Sequence, residues 1–140
     1  MRTTRHSHIL LWVAQSLLAL LFLFAGVMKF VMPAEAMAAQ SPVPVWFLRF
    51  IGTCEVLGAV GLILPELLRI RRELTPLAAA GLVIIMTGAT VITAATGQVA
   101  PALFPFAVGL LCAYVARGRW RQAHERSTAS RYLAPAPARS

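Results

Sequence analysis

Glu55 and Lys29 are the residues best suited to chemistry in this sequence. Glu55 sits inside the apolar run 46–64, in the string Gly52-Thr53-Cys54-Glu55-Val56-Leu57-Gly58-Ala59-Val60-Gly61. An ionised carboxylate in hydrocarbon is costly, so a membrane protein that carries one usually has a partner or a use for it. A neutral Glu can donate a hydrogen bond, whereas an ionised one needs a cation or water. Both states suit proton transfer or contact with a quinone-like headgroup. The competing reading is a purely structural Glu55, bonded across helices.

Two cations are close enough in depth to be considered as partners. Lys29 ends the first apolar run and Arg49 begins the second. On a helix, Arg49 lies about 120° around from Glu55 and two turns away, which disfavours a direct bond. If Arg49 marks the membrane interface, Glu55 lies about 9 Å below it at 1.5 Å per residue. Adjacent antiparallel helices bring Lys29 in from that same side, and its long stem can close much of the gap. The alternative has Lys29 snorkelling to the headgroups.

The faces around Glu55 follow from helical geometry. At 100° per residue, Gly52, Gly58 and Ala59 all lie within about 60° of Glu55, and Leu62 within about 20°. Small residues let helices approach closely in lipid, so this side of the helix faces the bundle. In the third apolar run Thr87, Thr90, Thr93 and Thr96 recur at steps of three. They suit either a tight packing face, bonding their own preceding turn, or a polar lining opposite Glu55. Gln15 and Ser16 of the first run are further candidates for that lining.

Four elements must position these groups. Apolar runs cover 9–31, 45–64, 74–95 and 99–116. A membrane span needs about 20 mostly apolar residues. At 140 residues, with 59% hydrophobic and 13% charged, the composition is that of a membrane domain, since soluble domains have nearly twice that charge. The expected fold is an all-α, four-helix transmembrane bundle. A cleaved signal is the rival reading of the first run, but its apolar stretch is longer than a signal's. Residues 1–8 are then a short N-terminal segment, and 117–140 a basic tail without fixed structure.

Basic residues give the orientation. Arg2, Arg5, Arg69, Arg71, Arg72, Arg117, Arg119, Arg121, Arg126, Arg131 and Arg139 all fall on one side, and only Lys29 and Arg49 on the other. The positive-inside rule puts both termini in the cytoplasm. Trp12, Trp46, Trp120 and Arg49 sit near the expected boundaries as interface anchors. Pro33, Pro42 and Pro44 break the chain between the first two spans, and Leu64-Pro65 ends the second. Thr75-Pro76 reads as N-cap and first residue of the third, which Gly97 closes.

Other chemistries are disfavoured. The sequence has no Asp and no Asn, and Cys54 and Cys112 form no CxxC pair or Cys/His cluster, so no metal site is expected. The two thiols read as small buried hydrophobes, with a redox pair as the sharper option. The net charge of +8 is spread over flanks between apolar runs, which fits topology signals and the lipid bilayer rather than nucleic acid. No nucleophile–base pair or nucleotide motif marks a self-contained enzyme, so no catalytic residue is assigned.

Residues 17–117 also resemble the DoxX-like family of small bacterial membrane proteins. The likeness rests on Ala25-Gly26-Val27-Met28-Lys29-Phe30, on the segment from Arg49 to Pro65, and on Leu74-Thr75-Pro76-Leu77-Ala78-Ala79-Ala80-Gly81. Lys29 and Glu55 fall on motif positions. The resemblance implies a four-helix, multi-pass protein of the bacterial inner membrane. It also implies an accessory role in quinone-linked redox complexes, which makes a quinone a candidate cofactor without assigning one, and redox subunits or a second copy candidate partners. Many relatives carry a His near the end of the third helix, where this chain reads Ile92-Thr93-Ala94-Ala95-Thr96. Two other roles fit the residues: a small proton-coupled transporter using Glu55, and a scaffold with no chemistry.

Overall fold

A computed structural model describes residues 2–71 and 73–133. They form five helices: α1 (Arg2–Val31), α2 (Ala34–Gln40), α3 (Val45–Leu67), α4 (Leu74–Ala95) and α5 (Val99–Leu133). The described residues contain no strand. Four segments are long and apolar enough to cross a membrane: His8–Val31, Val45–Leu67, Leu74–Ala95 and Val99–Glu125. The spans form a ring in chain order, α1 on α3, α3 on α4 and α4 on α5, with α5 closing back onto α1.

Each span buries one stripe and turns the rest outward. On α1 the buried positions are Leu11, Ala14, Gln15, Leu18, Ala19 and Phe22, the three-and-four spacing of a single helix face. On α3 they are Gly52, Glu55, Ala59, Leu62 and Pro65. On α5 they run Val108, Cys112, Val115 and Arg119. Side chains such as Phe24, Leu57, Ile84 and Phe104 stand exposed, as lipid-facing positions must.

Glycines allow a close approach of the α1 and α3 backbones. A Cβ on Gly26 would lie 2.8 Å from the Gly52 carbonyl oxygen and 2.7 Å from Cγ2 of Val56. A Cβ on Gly52 would lie 3.1 Å from the Lys29 Cβ. A Cβ at Gly26 would force something to shift, one at Gly52 would press on the Lys29 stem, and this contact sets Lys29 beside α3.

The helix ends differ from the sequence reading in five places. α1 begins at Arg2, so residues 2–8, expected to precede the first helix, form its first turns. Pro65 does not end the second span; α3 continues to Leu67. A proline one turn from a helix end removes a single N–H, and the chain there still closes with Leu68 N–H donating to the Leu64 carbonyl at 2.9 Å. Thr75 and Pro76 lie inside the first turn of α4; its N-cap is Glu73, and no side chain caps it. Between the prolines of the first connection, residues 34–40 form α2, whose Met37 is buried. The tail expected to lack structure from Arg117 is helical through Leu133, and the buried stripe of α5 runs on past the apolar segment to Arg119. Residues 134–140 lie outside the described part. The expectation at Gly97 matches: it has φ 80, its N–H reaches the Ala94 carbonyl at 3.0 Å, and Gln98 N–H reaches that of Thr93 at 3.2 Å. These two bonds make a Schellman closure, which needs a left-handed residue after the cap.

Candidate functional site

The buried stripe of α1 leads to the site. One turn beyond Gly26 the same face carries Lys29, and one turn beyond Gly52 the facing stripe of α3 carries Glu55. Lys29 Nζ donates to Glu55 Oε2 at 2.7 Å. The Glu55 side chain is 4% exposed and that of Lys29 26%, so the acid is enclosed by protein while the cation keeps an open side. Arg49 is exposed near the start of α3, away from this pair, and its carbonyl accepts a bond from Thr53 Oγ1 at 3.1 Å.

Lys29 and Glu55 sit on the wall of a cavity of about 750 Å³. The ends of α1 and α3, the α2 connection and the last turns of α4 enclose it. Its lining is mostly apolar, including Met28, Met32, Met37 and Phe47, with Cys54 and Thr93 among the few other polar groups. A site of this size, apolar with a few convergent polar groups, has the character of a small-molecule pocket. Lys29 can donate to an acceptor in the cavity, and Glu55 can exchange a proton with it.

The other residues expected to line a pocket divide into four groups. Thr93 lines the cavity. Gly52, Gly58 and Ala59 are packing positions: Gly52 abuts the Lys29 stem, a Cβ on Gly58 would strike Leu82 Cδ2 at 2.6 Å, and Ala59 is core. Thr87 and Thr90 bond their own helix, with hydroxyls donating to the carbonyls of Val83 at 2.8 Å and Met86 at 2.7 Å. Gln15 lies at the far end of the bundle, about 21 Å along α1 from Lys29. Cys54 and Cys112 are both free thiols, one half-buried near the cavity and one in the core.

At that far end is a polar cluster the sequence reading missed. Arg119 is 3% exposed. Its Nε donates to Gln15 Oε1 at 2.8 Å, and Nη1 reaches Glu66 Oε1 at 3.2 Å and Gln122 Oε1 at 3.1 Å. The guanidinium lies 5.3 Å over the Trp12 ring, a cation–π distance. Gln15 Nε2 in turn donates to the Leu62 carbonyl. The signal was present: Val108, Cys112, Val115 and Arg119 share one spacing, so Arg119 continues the core stripe. Trp12 is half-buried in this cluster, while Trp46 and Trp120 are exposed.

No curated protein and no solved structure matches this chain. The sequence profile described as the DoxX-like family matches residues 13–115, a stretch that includes Gly26, Lys29, Gly52 and Glu55. That match spans most of the chain and all the residues that build the pair, and the protein belongs to the DoxX-like family.

Proposed function

We propose that this protein is an accessory subunit of a membrane redox complex and that its cavity takes the polar head of a quinone. The observation that carries this reading is the Lys29–Glu55 pair on the wall of a mostly apolar cavity of about 750 Å³. A quinone ring is apolar with two carbonyl acceptors. Lys29 donates to one carbonyl, the methionines and Phe47 contact the ring, and Glu55 supplies or accepts the proton that accompanies each electron. The electrons come from the partner redox subunit. Both termini lie in the cytoplasm of a bacterium and the cavity opens toward the other face of its inner membrane, as the distribution of arginines favours. Arg49, Trp46 and Trp120 anchor the two interfaces.

Purified full-length protein titrated with a short-chain ubiquinone analogue tests this reading through quenching of its tryptophan fluorescence, alongside mass spectrometry of extracted lipids. Saturable binding, weakened about tenfold by Glu55→Gln or Lys29→Met, is expected, because each removes one charge-assisted hydrogen bond. Binding equal in the wild type and both variants would refute it.

A second reading, a scaffold with no ligand, draws on the tight Gly26–Gly52 contact. It predicts that Glu55→Gln alters assembly with a partner and leaves the cavity indifferent to quinone. A proton-coupled transporter predicts instead that Glu55→Gln abolishes proton-driven uptake into reconstituted vesicles.

A further inference from the structure

Away from the cavity, α4 and α5 leave an open groove of about 650 Å³ on the outer surface of the bundle. Its floor is made by small side chains, Ala80 on α4 and Ala113 and Ala116 on α5, with Val83 and Ile84 along one wall. One end is different. There Arg117 and Arg121, one helical turn apart, share the groove with Trp120 and Pro76. The spacing of Ala113, Ala116, Arg117, Trp120 and Arg121 puts them on one face of α5. From Ala113 to Arg121 the groove runs about 12 Å, the length of about ten methylene groups of an acyl chain.

Both arginines are exposed. All five acidic residues of the chain are described, and none lies within ion-pair distance of Arg117 or Arg121; Glu55 and Glu66 are taken by Lys29 and Arg119. The groove therefore ends in two uncompensated guanidinium groups at the level of an exposed indole. Guanidinium forks match phosphate oxygens, and Trp120 has the wet edge and greasy face of an interfacial anchor.

We propose that this groove is a binding site for an anionic phospholipid, with one acyl chain over Ala80, Ala113 and Ala116 and the phosphate held by Arg117 and Arg121. The site is independent of the quinone reading and of which way the chain faces. It uses a different wall of the bundle and none of the cavity residues except Ile84, which contributes to both surfaces.

The test is native mass spectrometry of the full-length protein with phosphatidylglycerol and phosphatidylcholine of identical acyl chains. Phosphatidylglycerol is retained preferentially. Arg117→Gln with Arg121→Gln weakens that retention about 30-fold, as expected for two surface arginines near anionic lipid. The control Arg69→Gln with Arg71→Gln, the same charge loss in the α3–α4 link, leaves it unchanged. Ala113→Phe fills the groove with both arginines in place and lowers retention of the lipid; if that variant is not monodisperse, Ala113→Leu carries the same arm. Equal retention of the two lipids by the wild type overturns the proposal. So does an equal loss in the Arg69 and Arg71 control, which marks general surface charge, or unchanged retention in the groove-filling variant.

Discussion

Among the described residues two ion pairs lie one toward each end of the bundle, and they are built for different work. Lys29 and Glu55 make one hydrogen bond between them beside a cavity, and the lysine keeps an open side. Arg119 and Glu66 are 3% and 9% exposed, and the guanidinium is further held by Gln15, Gln122 and the Trp12 ring. The first pair has directions left in which to bind something else. In the second, the contacts of one cation draw α1, α3 and α5 together. Burial and the number of partners thus separate a site from a clasp, although both are an acid beside a base.

The largest effect is expected at the clasp. Removing one member of a buried, hydrogen-bonded pair leaves the other charge without compensation and costs about 3–5 kcal/mol. Arg119→Met strands Glu66 and leaves Gln15 Oε1 without its donor, so the variant loses about that much in a denaturant titration in detergent micelles. A loss below about 1 kcal/mol would erase the distinction drawn between the two ends.

Next comes the contact that positions the other pair. Gly26→Ala sets a Cβ 2.7 Å from Val56 Cγ2 and 2.8 Å from a backbone oxygen that cannot move alone. Helices α1 and α3 must separate, at about 1–3 kcal/mol, the range for overpacked interiors. The separation draws Lys29 from Glu55, so on the proposed reading affinity for a quinone falls together with stability. Glu55→Gln divides those two readouts. Lys29 can turn its open side to water or headgroups when its partner is neutralised. The expected stability loss is about 1 kcal/mol or less, near that of a solvent-accessible pair, while ligand affinity still falls about tenfold. A loss as large as that of Arg119→Met would make Glu55 a clasp as well.

The same contrast explains what was legible in the sequence. The stripe Gly52–Glu55–Ala59–Leu62 could be read because one helix's periodicity fixes a face, and a carboxylate among small residues stands out against an apolar run. The bundle followed from apolar length. Arg119 escaped because its surroundings in sequence are basic and polar. Its burial depends on Gln15, more than a hundred residues away, and on Glu66, which only the ring of helices brings near it. The short helix α2 was hidden by the prolines on either side of it, though Met37 needs it to cover the cavity. The threonines of α4 were ambiguous for a physical reason. A hydroxyl satisfied by its own helix leaves the same spacing as one that lines a pocket, and only Thr93 meets the cavity.

The smallest effect belongs to the link that follows the clasp. Arg69 has φ 55 directly after the C-cap of α3, and Ile70 N–H closes the turn onto the Pro65 carbonyl at 3.1 Å. Glycine is the usual residue at this position, because a Cβ in the left-handed region crowds the following carbonyl by about 1–2 kcal/mol. Arg69→Gly relieves that crowding but also loosens the unfolded chain, so the net gain is about 0.5 kcal/mol. Arg69→Ala removes the same charge and keeps the Cβ, and it separates strain from electrostatics: the alanine variant shows no gain if backbone conformation is the cause. Neither variant should alter binding in the cavity, since the link lies at the Arg119 end. In the Arg119→Met background the clasp no longer holds the end of α3. The chain there can relax without help, and the gain from Arg69→Gly shrinks. A gain of equal size in both backgrounds would mean that the strain at Arg69 is local to the turn and independent of the clasp.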